Sequence, residues 1–160
     1  MDDDILQYTR LRELYEDEEK PFELLLLADE KREAIQQYID SARIFVLEKD
    51  DIIIAVFVLQ EITSLSIEIK NIAVAEAYQG KGIGKYLLSE AAKIAQEMGY
   101  EDMLIGTANG SIMQLYLYQK EGFEIVGIRK NFFTDNYPKP IYENGILCKH
   151  MIVLQKKLNT

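Results

Sequence analysis

The sequence is poor in residues that build several common kinds of functional site. It has one cysteine, Cys148, and one histidine, His150, among 160 residues. A single cysteine excludes an intramolecular disulfide and a cysteine-rich zinc site, and one histidine offers no catalytic triad. We therefore expect no metal site. We interpret Cys148 as a buried small residue and His150 as structural.

Positive charge and long hydrophobic runs are also lacking. The net charge of −9 argues against nucleic-acid binding, which needs a basic surface, and agrees with an amine substrate. The longest apolar run, Ile52 to Leu59, suits a strand and is too short to cross a membrane. The start, Met-Asp-Asp-Asp, is the opposite of a signal peptide. We expect a cytoplasmic protein with no membrane or nucleic-acid partner.

Length and composition predict a single domain over residues 1–160. Helical spacing, β-branched runs and turn residues then indicate the elements. We expect Asp29 to cap a helix, Ser111 and Gln114 to form a capping box, and Gly99 to end a helix in the left-handed conformation. The expected elements are strands at 5–8, 43–49, 51–61, 64–74, 102–107, 123–128 and 150–157, helices at 22–28, after 29, at 82–98 and at 111–121, and an irregular aromatic segment at 129–149.

One stretch carries most of the functional information. The predicted strand Glu68 to Val74 is followed, after a short turn, by Gln79-Gly-Lys-Gly-Ile-Gly84 and then by a long helix. The first N–H groups of a helix are free, its dipole favours negative charge, and glycines let a phosphate approach the backbone. The stretch therefore predicts an anion-binding loop.

Two well-known phosphate-binding patterns do not fit this loop. The Walker pattern needs a glycine five residues after the first and a serine or threonine after the lysine, but Lys85 is followed by Tyr86. The dinucleotide pattern needs Gly-x-Gly-x-x-Gly, and here the third glycine comes one residue early. A glycine-rich helix cap without a ligand is the remaining alternative.

Two motifs together have the spacing of one acyl-CoA-dependent family. The loop reads Gln-x-x-Gly-x-Gly at Gln79, Gly82 and Gly84, and Tyr118 stands four residues before Gly122-Phe123. In these features the chain resembles the GCN5-related N-acetyltransferases (GNAT superfamily), and in particular a bacterial branch of small members, over roughly residues 43–130. The resemblance implies an α+β, three-layer fold, whose mixed and mostly antiparallel sheet is split between strands 4 and 5 and flanked by helices.

The resemblance also implies acetyl-CoA (coenzyme A) as the co-substrate. Backbone N–H groups of the loop and the first helical turn would bind the pyrophosphate, and the end of the fourth strand would hydrogen-bond the pantetheine. Asn109 could bond the pantetheine or cap the following helix. The expected cofactor-binding residues are Ile72, Ala73, Val74, Gln79, Gly80, Lys81, Gly82, Ile83, Gly84, Lys85 and Asn109.

Acyl transfer from CoA to an amine has defined chemical needs. The amine must lose a proton, the oxyanion needs a donor, and the leaving thiolate benefits from a proton. Glu68 stands eleven residues before Gln79, the offset of the general-base glutamate in histone-acetylating members; a solvated carboxylate or an ion-pair partner is the alternative. Tyr118 is the candidate acid, or else a core aromatic. The backbone N–H of Ile72 or Val74 is the candidate oxyanion donor.

The predicted function is acetyl transfer from acetyl-CoA to a primary amine of a small molecule, by direct attack in a ternary complex. A non-catalytic acyl-CoA sensor and a protein or peptide N-acetyltransferase are the alternatives. The aromatic segment from Phe132 to Ile146 would form a wall over the acceptor site. Tyr137, Tyr142 and Glu143 are its candidate substrate contacts; a dimer contact or a core-packed loop are its other interpretations.

Overall fold

The computed structural model describes residues 3–158. Their strands form one seven-stranded sheet and one small hairpin, with helices on both faces of the sheet. The strands are β1 Thr9–Glu13, β2 Arg43–Lys49, β3 Ile52–Glu61, β4 Ser66–Val74, β5 Asp102–Ala108, β6 Glu124–Arg129, β7 Tyr142–Glu143, β8 Ile146–Leu147 and β9 Met151–Lys157. The helices are α1 Asp3–Leu6, α2 Phe22–Ala28, α3 Arg32–Ile39, α4 Ile83–Glu97, α5 Ile112–Lys120 and α6 Phe132–Asn136, with a 3-10 turn at Glu76–Tyr78.

The sheet has the order β1-β2-β3-β4-β5-β9-β6. All neighbours are antiparallel except β4 and β5, which are parallel because α4 crosses over between them. Their pairing stops at Ile69 and Ile105, although β4 continues to Val74 and β5 to Ala108. The predicted split between strands 4 and 5 is therefore confirmed, and it opens next to the start of α4.

A β-bulge interrupts β4 just where the split begins. Val58 pairs with Asn71 and Leu59 pairs with Ile69, so Lys70 is an extra residue on β4. The bulge shifts the alternation of side chains between the two faces. Asn71 consequently lies on the face of α2 and α3, which Glu68 and Lys70 share, while Ile69 and Ile72 face α4.

Two hydrophobic cores sit on opposite faces of the sheet. The larger core packs the apolar stripe of α4 against β3, β4 and β5, and it includes Tyr118 from α5. The smaller core packs α2 and α3 against β2 and β3. The site elements thus rest on a three-layer frame, as predicted.

Several local predictions were wrong. Residues 5–8 are not a strand, since α1 ends at Leu6 and β1 begins at Thr9. In β1, Arg12 donates hydrogen bonds to the carboxylates of Glu18 and Glu48. These ion pairs stabilise the strand, although its charged sequence does not show the pattern of a strand. The irregular aromatic segment holds α6 and the β7–β8 hairpin.

Both predicted side-chain caps were also wrong. The residue preceding α3 is Lys31, and Asp29 accepts a hydrogen bond from Tyr137 instead. Ser111 does precede α5, but its hydroxyl donates to Glu143 rather than capping the helix. Gly99, with φ of 95°, ends α4 in the left-handed conformation, as predicted.

Candidate active site

The glycine loop turns the chain from the 3-10 turn into α4. Gly80 and Gly82 have φ of 75° and 85°, a left-handed conformation that glycine adopts at no steric cost. Gln79 fixes the loop to the end of β4, because its side-chain amide donates to the carbonyl of Val74 at 2.9 Å. Within residues 3–158 no side chain caps α4 at Gly82. The loop before this fifteen-residue helix is therefore held beside Val74, on the part of β4 that extends beyond its pairing with β5, and the first N–H groups of the helix have no side-chain cap from the described part of the chain.

Helix α5 packs directly against this loop. A Cβ added to Gly84 would lie 3.6 Å from Cδ2 of Leu117, so the start of α4 lies beside the residue that precedes Tyr118. Tyr118 itself is only 6% exposed and belongs to the larger core. Its ring lies 6.2 Å from that of Phe123, centroid to centroid. The two sequence motifs are therefore brought together, although thirty-four residues separate Gly84 from Tyr118.

The surroundings of Tyr118 keep its phenol protonated. Burial raises the pKa of Tyr118, and the negative charge of Glu143 raises it further. A neutral phenol is a hydrogen-bond donor. The alternative of a core aromatic thus describes the position of Tyr118 in this structure, while its role as the acid stays a prediction.

Glu68 is not a solvated carboxylate. It is 7% exposed, and its Oε2 lies 3.7 Å from Nζ of Lys70. The ammonium group of Lys70 also lies 5.4 Å from the centre of the Tyr38 ring. The ion-pair interpretation of Glu68 thus describes its contact in this structure, while its role as a base stays a prediction.

Asn71 is a buried polar residue that the sequence analysis left without a role. Its Nδ2 donates to the carbonyl of Leu25 at 3.0 Å and to the hydroxyl of Tyr38 at 3.1 Å. These bonds join β4 to α2 and α3. Burial raises the pKa of Tyr38 to about 12. An asparagine inside the β-branched run around Ile72 was the available signal for such a buried contact.

The aromatic segment after β6 closes over the loop between α2 and α3. The hydroxyl of Tyr137 donates to Oδ1 of Asp29 at 2.7 Å, and Nζ of Lys31 donates to the carbonyl of Asn136 at 3.0 Å. Burial raises the pKa of Tyr137, and the bond to Asp29 raises it further. The rings of Phe133 and Tyr137 pack in a tilted arrangement with centroids 5.7 Å apart. The segment is therefore packed against the loop between α2 and α3, and its role as a wall over the acceptor site stays a prediction.

This segment lines a cavity of about 190 Å³ that is open to solvent on one side. Tyr137 and Tyr142, two of the three predicted substrate contacts, both line it. The cavity is lined by Phe133, Thr134, Tyr137, Pro138, Lys139, Pro140, Ile141, Tyr142, Leu147 and Cys148. Cys148 is buried, as predicted, and burial raises the pKa of its thiol.

The third predicted substrate contact, Glu143, lies on β7 and accepts the hydrogen bond from Ser111 at the start of α5. Asn109 is bonded to the end of the aromatic segment. Its Nδ2 donates to the carbonyl of Leu147 at 3.1 Å, and its Oδ1 accepts the N–H groups of Lys149 and His150 at 2.8 and 3.0 Å. Asn109 therefore anchors this segment to β5 and does not cap α5. Its contact with the cofactor stays a prediction.

Two kinds of feature are not found in the described part of the chain. Residues 3–158 contain no cluster of three or more His, Cys, Asp or Glu side chains that could hold a metal ion. None of the helices over the same range combines the length and the apolar character that crossing a membrane requires. His150 accepts the N–H of Asn131 at its Nδ1, at 2.9 Å.

Comparison with known proteins gives one consistent result. The profile of the acetyltransferase (GNAT) domain matches residues 40–125. The chain is 38% identical to the uncharacterized N-acetyltransferase YvbK of Bacillus subtilis (strain 168) over 149 residues, which cover 93% of this chain and 96% of that protein.

Solved structures agree with the sequence matches. A GNAT family acetyltransferase from Elizabethkingia anophelis with acetyl-CoA bound is 46% identical, with a TM-score of 0.92 over 94% of this chain and 99% of that one. An acetyltransferase from Bacillus subtilis in complex with CoA is 38% identical, with a TM-score of 0.88 over the same shares of the two chains.

Proposed function

The chain belongs to the GNAT family of acetyltransferases, and from this premise we propose that it moves the acetyl group of acetyl-CoA to a primary amine of a small molecule. One observation carries the proposal. Gln79 holds the loop before the uncapped start of α4 beside Val74, on the part of β4 that extends beyond β5. Glu68 lies on the same strand, and Tyr118 lies on the helix that packs against the start of α4. This arrangement supports cofactor binding by the loop, a base at Glu68 and an acid at Tyr118.

The cofactor would bind along the split between β4 and β5. Backbone N–H groups from Gly80 to Lys85 would hold the pyrophosphate, because a helix start without a side-chain cap offers donors and a favourable dipole. The pantetheine would run beside Ile72, Ala73 and Val74, since β4 extends beyond its pairing with β5 there. The relatives that hold acetyl-CoA or CoA support this assignment.

The reaction would proceed by direct attack. With both substrates bound, Glu68 takes a proton from the amine, and the amine nitrogen attacks the thioester carbonyl. The backbone N–H of Ile72 or Val74 stabilises the oxyanion. The carbon–sulfur bond then breaks, and Tyr118 supplies the proton that the departing thiolate takes.

Negative charge near the aromatic cavity supports an amine acceptor. Besides burial, the charges of Asp29 and Glu30 raise the pKa of Tyr137, and those of Glu143 and Glu30 raise the pKa of Cys148. Three carboxylates therefore act on the cavity walls, which favours a cationic ligand. The cavity volume of about 190 Å³ is below the ordinary range of ligand pockets and favours a small amine over a peptide.

The test is a screen with acetyl-CoA and a panel of small amines and peptides, read by free thiol and by mass of the acetylated product. We expect CoA to raise the melting temperature, because a ligand of the native state stabilises it, and at least one small amine to be acetylated. Stabilisation by CoA without any product would support the sensor instead. Acetylated peptides without acetylated small amines would support the protein-modifying alternative.

We also propose a homodimer, formed at the β6 edge of the sheet rather than by the aromatic segment. Ile125, Val126 and Ile128 are each more than half exposed on this edge strand. In an antiparallel pairing of β6 with a second copy, Glu124 of one chain would face Arg129 of the other, so the edge is complementary to itself.

Light scattering during size exclusion tests the dimer. We expect Glu124→Arg and Arg129→Glu each to give monomers, because like charges then meet at the strand ends. The double variant should restore the dimer. A monomeric wild-type protein at micromolar concentration would contradict the proposal.

A further inference from the structure

The extra residue of the β4 bulge, Lys70, places a primary amine beside Glu68, the proposed base. Its Nζ lies 3.7 Å from the carboxylate of Glu68, with the two side chains 26% and 9% exposed. The same Nζ lies 5.4 Å from the centre of the Tyr38 ring. A primary ammonium group is thus held between a buried carboxylate and an aromatic face, an arrangement that binds alkylammonium ligands.

We propose that Lys70 is a self-acetylation site: without an acceptor amine, its side chain takes the acetyl group from bound acetyl-CoA. The inference rests on the proposed function, since it uses the same base and the same donor. Lys70 has the chemistry of the proposed substrate, a primary amine, and it already contacts the carboxylate that would remove the proton from that substrate.

The backbone places this amine within reach of the reaction. Lys70 precedes Ile72 by two residues, a separation of at most about 7 Å along an extended strand. β4 leaves its pairing with β5 immediately before Lys70, so the gap proposed for the thioester begins at this residue. In the alternation that Ile67 and Ile69 set, Lys70 lies on the same face as Glu68, and the bulge turns Asn71 to this face as well.

The step balances without any further reactant. The Nζ of Lys70 gives one proton to Glu68, and its lone pair forms a bond to the carbonyl carbon of the thioester. The carbon–sulfur bond breaks, the sulfur takes a proton from Tyr118, and the second amine proton is lost to solvent. The products are Nε-acetyl-lysine and free CoA.

Self-acetylation would limit the enzyme when acceptor is scarce. The acetylated side chain has no positive charge, so Glu68 loses its ion pair, and the added acetyl group occupies space beside that carboxylate. Acetyl transfer to an added amine should therefore slow as the modified fraction grows, and an acceptor present from the start should protect Lys70 by competing for the same place.

Lys93 provides a matched comparison inside the same protein. It also pairs with a glutamate, Glu90, at 3.1 Å, but it lies on α4 and its side chain is 68% exposed. Uncatalysed acetylation by acetyl-CoA favours the more exposed amine, so it should label Lys93 before Lys70. A catalysed reaction should reverse this order.

The experiment incubates the full chain with isotopically labelled acetyl-CoA and digests it with a protease that does not cleave at lysine. Mass spectrometry then follows the label at Lys70 and Lys93. We expect Lys70 to be labelled about a hundredfold faster, the lower end of what a general base contributes. Glu68→Gln should remove that advantage and leave Lys93 unchanged. Lys70→Arg, which keeps the charge, should abolish the label on this peptide while retaining the wild-type melting temperature.

The outcomes separate this inference from the proposed function. Equal labelling of the two lysines, or faster labelling of Lys93, overturns self-acetylation. If a free amine is acetylated while Lys70 stays unlabelled, the inference fails and the proposed function stands. If neither is acetylated although CoA raises the melting temperature, both fail and the sensor alternative remains.

Discussion

Tyr118→Phe isolates the proposed acid, because it removes one hydroxyl from a ring that is otherwise packed in the core. General acid catalysis contributes about 10²- to 10⁴-fold, so we expect kcat to fall by that factor, about 2.7–5.4 kcal/mol in the barrier. The affinity for CoA should stay nearly unchanged. Burial raises the pKa of Tyr118, so the phenol keeps its proton through neutral and mildly alkaline pH.

Tyr116→Phe is the matched control for this prediction. Tyr116 lies on the same helix two residues earlier, but it is 58% exposed, so its hydroxyl reaches water and not the site. Assays of thiol release with saturating acetyl-CoA compare the kcat values of the two variants, and calorimetry gives their affinities for CoA. If both turn over at the same rate, the thiolate leaves without help from Tyr118. If Tyr118→Phe instead weakens CoA binding, the tyrosine shapes the cofactor site and is not the acid.

Three further predictions concern the loop, the base and the first strand. Gly82 and Gly99 lie at opposite ends of α4, each with a φ near 90°. Gly82→Ala and Gly99→Ala should each lower the free energy of unfolding by about 1–2 kcal/mol, but only Gly82→Ala should abolish the rise in melting temperature that CoA causes. If CoA raises the melting temperature of both variants equally, the loop is not part of the cofactor site. Glu68→Gln should lower kcat for amine acetylation by about 10²-fold or more. If the variant keeps the wild-type kcat, Glu68 is an ion-pair partner and not the base. Hydrogen bonds from Arg12 hold the pKa of Glu18 at about 2, below its ordinary 4.5. The stabilisation of the folded state by this pair is therefore present above pH 4.5 and is lost as the pH falls toward 2. Urea denaturation across this range should show this decrease in the free energy of unfolding for the wild-type protein, and a smaller decrease for Arg12→Ala.

Local patterns of the sequence were sufficient for most of the frame. Glycines at positions that need a left-handed φ, such as Gly82 and Gly99, follow from chain geometry alone. The apolar stripe of α4 and the β-branched runs of β2 and β3 likewise gave those elements to within a residue or two. The charged strand β1 was not predicted, because its ion pairs form only when it pairs with β2.

The sequence by itself therefore determined the glycine-rich turn, the long helix behind it and the family, because backbone conformation and helix capping are decided by neighbours along the chain. Tertiary structure alone decided which side chains meet in the candidate site. The bulge at Lys70 arises from pairing with β3, and it turns Asn71 to the face that Glu68 and Lys70 already share. The wall at Tyr137 depends on a bond to Asp29, 108 residues away. Contacts between residues so far apart in the chain depend on which strands pair and which loops meet, which no local spacing records.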